Sequence, residues 1–400
     1  MNIKQFEFFD KLLALSVLLL TGAIIVNKLY FPKSSLAVFN LILSMVPFIY
    51  VIIKSKNMKL YKGNSNLILY LIIIVRIITS VFSYINLNGQ MILEQICYDI
   101  SLIIFIIAFV SIDLSKSANY KFKYFPKTIV IMALLYCIYN ISVNISNLFL
   151  FTDIKYRYLI SFSSFFTNKN LFGEFLMLAI FSLEFAKNNN KSKVFYFLLK
   201  TFFVINMFLT LSRNAILCFC IFELLLMIIR KQYKKAFVLI TIVLIVYGLN
   251  IYNVRNLFVN YILRADSLTS GRDSIWKMCY EYFLHRPILG YGELYISNII
   301  NGLTGVTSMH SWYFKILLNG GLINLVCYLF LIGSIVIQTF RKLKRNKSHF
   351  DIIFSCIISL LVYGVFEEIN LFEFGLISII MTMYFCFIPK IYGSGGENVE

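Results

Sequence analysis

The sequence LILYLIIIVRIITSVFSYIN, residues 67–86, contains a single charged residue, Arg76. A helix crosses a bilayer with about 20 mostly apolar residues, and this stretch therefore predicts a transmembrane span. Eleven other runs of similar length and composition occur along the chain. We predict twelve spans, with approximate bounds 12–31, 35–53, 67–86, 94–112, 128–148, 170–186, 194–211, 214–230, 235–251, 320–338, 350–366 and 371–389.

The composition of the whole chain supports the same class of protein. Of its 400 residues, 60% are hydrophobic and 14% are charged, whereas soluble domains carry roughly 25% charged residues. So few polar side chains cannot cover a soluble surface, which also excludes a collagen, a coiled coil and a disordered chain. We predict an all-α, polytopic transmembrane helical bundle.

The net charge of +18 comes mainly from short links between the apolar runs. Positive residues concentrate on the cytoplasmic side of membrane proteins, so this pattern indicates topology and argues against a nucleic-acid partner. With the N-terminus in the cytoplasm, the links rich in Lys and Arg all lie inside, and the C-terminus is also inside. These links are 54–66, 113–127, 187–193, 231–234 and 339–349.

The predicted outer side contains one long segment, 252–319. Loops longer than about 15 residues are usually functional or disordered, and the Tyr, Trp, Ile and Leu content of this segment argues against disorder. We therefore divide the chain into three regions. Residues 1–251 form spans one to nine, 252–319 an extracytoplasmic loop, and 320–400 spans ten to twelve with a cytoplasmic tail.

The middle of this loop predicts a surface helix. Ser270 is a candidate cap, with Asp273 at the capping-box spacing, and Pro287 ends the helix. Its apolar face is expected to lie along the membrane surface or over the bundle. This face carries Ile275, Cys279, Tyr282 and Phe283.

Histidine is a candidate for proton transfer. His310 begins the run HSWYFKILLNGGLINL, just before the tenth predicted span. Its side chain titrates near neutrality and is a natural general base, although an interfacial histidine without a catalytic role fits the position equally well. His285 ends the loop helix, where a terminal cation is a sufficient explanation, and His349 lies in an inner link.

Two arginines are candidates for binding an anion. Arg213 lies in TLSRNAIL, at the turn between spans seven and eight, where it either snorkels to the interface or binds an anionic group. Arg272 begins the loop helix, whose N-terminal N–H groups also favour anions. A structural salt bridge with Asp266 or Asp273 is the alternative for Arg272.

Charges inside or near the spans form a further group. Arg76 is costly in the middle of a span, and pairing with Asp99 in the next span is favoured over contact with a substrate. The eight cysteines show no zinc-binding spacing, and we expect neither a metal site nor a disulfide framework. Four acids are expected in or near the outer half, with no order in space that the sequence can assign: Glu174, Glu223, Glu367 and Glu368.

Five short motifs occur in order between residues 166 and 322. They are FTNKN at 166–170, TLSRNA at 210–215, GRDSIW at 271–276, PILGYG at 287–292, and HSWY at 310–313 with GGL at 320–322. In this topology they resemble the motifs of the O-antigen ligase and polymerase superfamily of membrane glycosyltransferases. Lys169, Asn214 and Asn319 stand where that family usually has a proline, a small residue and an acid.

The resemblance implies a GT-C-type fold and a reaction that needs no cofactor or metal. The donor would be a glycan on undecaprenyl pyrophosphate, and a hydroxyl of an acceptor glycan would attack it. By position, Arg213 and Arg272 would hold the pyrophosphate and His310 would act as the base. Supporting candidates are Asn170, Glu174, Arg76, Arg264, Trp276, Glu367 and Glu368.

The same resemblance implies a bacterial inner membrane, with the active site facing outside. The expected partners are the lipid-linked glycan, the acceptor glycan, the bilayer and a chain-length regulator protein. Polymerisation of O-antigen or capsular repeat units is our first hypothesis, and ligation of a glycan to lipid A core or another acceptor is the second. A flippase or transporter is the alternative from another class. Arg76 and Asp99 favour a transporter, whereas the long loop 252–319 argues against it.

Overall fold

The computed structural model describes residues 1–30, 36–55, 64–87, 89–112, 120–150, 162–187, 193–237, 241, 272–305, 308–345 and 349–393. Within these ranges the regular structure is entirely helical, which confirms the predicted all-α class. Five of the described helices are long and apolar enough to cross a membrane, and three shorter ones are also apolar. The number of spans and their orientation stay predictions, and the ninth span, 235–251, lies mostly outside the described residues.

The described helices follow the predicted apolar runs in order. The first eight are α1 Ile3–Tyr30, α2 Leu36–Lys54, α3 Asn64–Asn86, α4 Gly89–Ser111, α5 Tyr124–Leu150, α6 Lys169–Ala186, α7 Lys193–Leu209 and α8 Arg213–Ile229. The next four are α9 Arg272–His285, α10 Glu293–Thr304, α11 Trp312–Lys344 and α12 Phe350–Phe366. Finally, α13 Leu376–Thr382 continues through a π-helical turn, Met383–Phe387, into α14 Ile388–Gly393.

Helix α3 illustrates how the apolar runs pack. Leu69 and Ile72 are buried, whereas Ile74, Ile77 and Val81 on the other side are exposed. A continuous row of exposed aliphatic side chains is unfavourable in water and suits the hydrocarbon of a bilayer. By contrast, α6 is buried almost all round and packs against α5, α7 and α8, so it lies at the centre of the bundle.

The loop helix predicted from the sequence is present as α9. Ile275 and Cys279 are buried, and Tyr282 and Phe283 are partly buried against the same cluster, as the periodicity predicts. Burial raises the pKa of the Cys279 thiol to about 12, so this cysteine behaves as a small hydrophobic residue. The candidate cap Ser270 lies outside the described residues.

A second helix of this segment, α10, is not predicted by the sequence analysis. Its Ile296 and Ile300 join Ile275, Cys279 and Leu318 in a small core separate from that of the bundle. Helix α10 contacts α3, α4 and α11, and α9 contacts α11. The two loop helices, α9 and α10, therefore pack over one end of the bundle, the site end.

Two glycine motifs interlock at the site end. Helix α11 begins at Trp312 and continues past the predicted start of span ten, with a break at Gly320 and Gly321. The turn of residues 287–292 fills this break. The N–H groups of Tyr291 and Gly292 donate to the carbonyls of Leu318 and Asn319 at 2.8 and 2.9 Å, and Leu322 N–H donates to the Pro287 carbonyl at 2.8 Å.

Close backbone approach explains why this interlock needs glycine. Gly321 has φ +67°, and a Cβ there would lie 2.0 Å from the Ile288 carbonyl oxygen. A Cβ on Gly290, with φ +65°, would lie 2.4 Å from the Leu318 carbonyl oxygen. The PILGYG and GGL motifs are therefore two halves of one backbone contact, which fixes the loop helices against α11.

Candidate active site

The starts of three helices meet at one carboxylate, Glu367, which follows α12. Arg272, the first residue of α9, donates from Nη2 to Glu367 Oε1 at 2.6 Å. Asn214, the second residue of α8, donates from Nδ2 to the same oxygen at 3.0 Å. His310 lies just before α11 and contacts Glu367 Oε2 through Nδ1 at 3.1 Å. The chain thus brings together segments that are far apart in sequence.

This convergence makes the site end a favourable place for an anion. The N-termini of α8, α9 and α11 each present backbone N–H groups and the positive end of a helix dipole. Arg213, the first residue of α8, is partly buried and adjoins Asn214. Two arginines thus begin two of the helices that meet here.

The contact between His310 and Glu367 assigns the roles of the ring nitrogens. A carboxylate accepts hydrogen bonds, so Nδ1 carries the proton that it donates to Glu367. In the neutral imidazole, Nε2 then has a free lone pair and can accept a proton from a substrate. A carboxylate that orients a histidine in this way also stabilises the imidazolium that forms.

The neighbouring carboxylate, Glu368, faces the backbone before His310. Its Oε1 accepts from the Ser308 hydroxyl at 3.0 Å and from Met309 N–H at 2.6 Å. Its Oε2 lies 3.5 Å from Lys315 Nζ. Trp276 on α9 also reaches this segment, since its Nε1 donates to the Met309 carbonyl at 3.2 Å.

A buried ion cluster continues from Lys315 into the bundle. Lys315 Nζ lies 2.9 Å from Glu293 Oε1 and 2.7 Å from Glu373 Oε1. Arg76 contacts Glu293 as well, and its Nε donates to Asp99 at 2.7 Å. The predicted pairing of Arg76 with Asp99 is therefore confirmed.

The charge of Glu293 is fixed by its two cations. Burial alone would raise the pKa of this carboxyl, but Lys315 and Arg76 outweigh that effect and hold the pKa below its ordinary value. The two cations thus favour the ionised form of Glu293. A cavity of about 30 Å³ lies beside the cluster, lined by Asn319 and Tyr328 among others, and a polar cavity of this size can hold water.

Helix α6 brings a further acid under the site. Glu174 is 4% exposed and lies close to Glu367, Glu368 and Tyr363, which act on it electrostatically. Asn170 lies one turn earlier, on the same side of α6, and is partly buried. Arg264, another supporting candidate, lies outside the described residues.

An apolar groove opens next to the polar site. Its volume is about 360 Å³, and its lining comes from α9, α11 and α12. Trp276 and Ser311 belong both to this lining and to segments that carry Arg272 and His310. The remaining lining residues are Tyr313, Phe314, Leu317, Leu325 and Val365.

One of the four predicted acids and two of the three histidines lie away from the site. Glu223, which the sequence analysis expected in or near the outer half, pairs with Lys200 at 2.6 Å. Lys200 also binds Glu184, which pairs with Arg230 beyond the end of α8, so this network lies away from the site end. His285 is exposed at the end of α9, and His349 precedes α12 at the opposite end of the bundle.

Three site residues escaped the sequence analysis: Glu293, Lys315 and Glu373. The available signal was weak, because a lysine five residues after His310 looks like any interfacial lysine. Among the described residues, no group of three or more His, Cys, Asp or Glu side chains could hold a metal ion. The described cations at this site include Arg272 and Lys315.

The fold and the site together are those of a multi-pass helical membrane protein with a partly buried His–Glu pair and cationic helix starts. Residues 198–329 match the family model Wzy_C, described as O-antigen ligase. The matched region covers less than half of the chain and is similar to the O-antigen ligase family, as the motifs within it predict, and the match supports a glycan-transfer role of the ligase or polymerase type. A search of curated proteins finds no match.

Proposed function

We propose that this protein transfers a glycan from undecaprenyl pyrophosphate to a sugar hydroxyl of an acceptor glycan. The reaction would take place at the outer leaflet of a bacterial inner membrane and would polymerise O-antigen or capsular repeat units. The observation that carries the proposal is the convergence of Arg272, His310 and Glu367 beside an apolar groove. This arrangement offers a cation, a base and an apolar groove at one place.

The pyrophosphate of the donor would bind between the helix starts. Arg213 and Arg272 present planar guanidinium groups, which suit phosphate oxygens because they form two parallel hydrogen bonds. Negative charge grows on the pyrophosphate as its bond to the sugar breaks, so cations fixed beforehand stabilise the transition state more than the ground state. The N-termini of α8 and α9 add to this field.

The acceptor hydroxyl would attack the anomeric carbon as the pyrophosphate leaves. A new bond forms from the hydroxyl oxygen to that carbon, and the electron pair of the broken bond departs with the pyrophosphate. The hydroxyl proton passes to His310 Nε2, while Glu367 holds Nδ1–H and balances the imidazolium charge. Each step uses a group already present at the site end.

The apolar groove would take the polyprenyl chain of the donor. Its lining is almost entirely aromatic and aliphatic, and it adjoins Trp276 and Ser311 next to the proposed pyrophosphate site. A lipid whose charged head binds Arg272 would extend its apolar chain into this groove without exposing it to water. This continuity favours a lipid-linked donor over a soluble sugar nucleotide.

Ligation is the second candidate, because the matched family model is described as O-antigen ligase. Polymerase and ligase would share the donor site and differ in the acceptor, and a chain-length regulator would be a partner of the polymerase. The test is incubation of the purified protein in lipid with the polyprenyl-pyrophosphate-linked repeat unit alone. We expect a ladder of polymers. Transfer only after addition of lipid A core would favour a ligase, and no transfer to either acceptor would contradict the proposal.

Glu367→Gln is expected to lower kcat at least about tenfold, because the base loses the partner that orients it. Glu367 receives three donors, from Arg272, Asn214 and His310, and an amide NH₂ would oppose at least one of them. The measurement is the rate of polymer formation, normalised to protein in the membrane. Glu281→Gln, at an exposed position on α9, is the control. Equal rates for both variants would show that Glu367 does not orient the base.

A further inference from the structure

The backbone of His310 adopts a conformation that a histidine rarely takes. Its φ is +49°, in the left-handed region that costs free energy for a residue with a side chain. Such strain persists only where the surrounding contacts impose it. Contacts around His310 must therefore hold its backbone in this conformation.

A hydrogen-bonded clamp surrounds the residues just before the ring. The Ser308 hydroxyl accepts from His310 N–H at 3.1 Å and donates to Glu368 Oε1 at 3.0 Å. Met309 N–H donates to the same carboxylate oxygen at 2.6 Å. One oxygen of Glu368 therefore accepts hydrogen bonds from both the Ser308 side chain and the Met309 backbone. Because the Ser308 hydroxyl also accepts from His310 N–H, it links the backbone of His310 to Glu368.

The other oxygen of Glu368 faces a buried cation. Lys315 is 9% exposed, and its Nζ lies 3.5 Å from Glu368 Oε2. The same ammonium binds Glu293 and Glu373, which fix its position from α10 and from the segment before α13. Glu368 is thus held at its second oxygen by a group that cannot move freely.

The side chains of the adjacent Glu367 and Glu368 have different contacts because the backbone here is extended. Glu367 has φ −144° and ψ 165°, and successive side chains on extended backbone point to opposite sides. Glu367 accordingly contacts the ring of His310 and Arg272, whereas Glu368 contacts the backbone before His310. The first orients the imidazole, and the second holds the turn from which the imidazole projects.

We propose that Glu368 is a positioning residue, which together with Ser308 and the buried Lys315 holds the strained backbone of His310 so that its ring meets Glu367 and the substrate. This inference rests on the proposed role of His310 as the base. It assigns Glu368 no contact with the substrate. Its removal should therefore affect turnover and leave donor binding intact.

The test is a double-mutant cycle of Glu368→Ala and His310→Ala, with kcat and KM for the lipid-linked repeat unit measured separately. We expect Glu368→Ala alone to lower kcat by about 10²-fold, the scale of a small misplacement of a reacting group, with little change in KM. In the His310→Ala background it should change the residual rate less than twofold. Glu368→Gln keeps the oxygen that accepts from Met309 and Ser308 but turns an NH₂ group towards Lys315, so it should restore only part of the loss.

Further variants separate the possible outcomes. Ser308→Ala breaks the link to His310 while leaving Glu368 paired with Lys315, so it should lower kcat even if Glu368→Ala fails to accumulate. Glu281→Ala is the exposed control. An equal loss from Glu368→Ala with and without His310, or a rise in KM alone, would overturn the inference. Full activity of His310→Ala would instead refute the proposed function, because the base itself would be dispensable.

Discussion

Replacing Arg272 with alanine is expected to lower turnover by about 10²–10³-fold, the usual loss when one preorganised donor to a developing charge is removed. Protein should still accumulate in the membrane, since Glu367 keeps Asn214 and His310 as partners. Arg213→Ala should give a loss of similar size. The measurement is polymer formation from the purified lipid-linked repeat unit, with the amount of membrane protein determined in parallel.

Lysine variants test whether the site needs the planar shape of the guanidinium group or only its positive charge. Arg272→Lys and Arg213→Lys keep the positive charge but replace a planar fork with a point charge, so each should recover only part of the activity. Lys277→Ala, at an exposed position on the same helix as Arg272, is the control and should keep its activity. Full activity of both lysine variants would show that generic electrostatics suffices, and it would contradict a bidentate pyrophosphate site.

The local pattern of the chain predicts much of the fold. The apolar runs predict the order of the helices, and the periodicity of Ile275, Cys279 and Phe283 predicts the buried face of α9. Helix α10 is harder to predict, because its twelve residues are few for an autonomous helix and depend on packing of Ile296 and Ile300. The interlock of the two glycine motifs is likewise a tertiary contact that neither motif shows alone.

At the site, too, some residues can be predicted from local sequence motifs, whereas others are recognised only in the tertiary structure. Motif order singles out Arg213, Arg272 and His310, but Glu367 lies 57 residues after His310 and 95 after Arg272. Only the packing of α8, α9 and α11 around the end of α12 gives Glu367 its central position. Lys315 is similar, because its burial follows from the segment 367–375 folding over the first turn of α11.

The misplacement of Glu223 has a simple geometric cause. It follows Arg213 by ten residues on α8, and a helix rises about 1.5 Å per residue, so the two lie roughly 15 Å apart along the axis. An acid at that depth meets Lys200 on α7 rather than the helix starts. Glu174, by contrast, lies within the second turn of α6 and is therefore close to the site end.

His310→Ala is expected to lose about 10²–10⁴-fold in turnover, the usual contribution of positioned proton transfer. Donor binding should survive, because the proposed pyrophosphate contacts come from Arg213 and Arg272. His310→Gln keeps similar size and one hydrogen bond but cannot take up a proton, so it should fail as badly as alanine. The measurements are the polymer ladder and the binding of the purified lipid-linked repeat unit, determined separately.

His285→Ala provides the matched histidine control and should stay nearly active, because His285 is exposed at the end of α9 and has no contact with Glu367 among the described interactions. If His310→Gln instead keeps near wild-type turnover, the ring only orients the acceptor. The proton would then have to pass to a carboxylate. Glu174, Glu367 and Glu368 would be the candidates, and among them Glu367 would come first because it already contacts both Arg272 and the ring of His310.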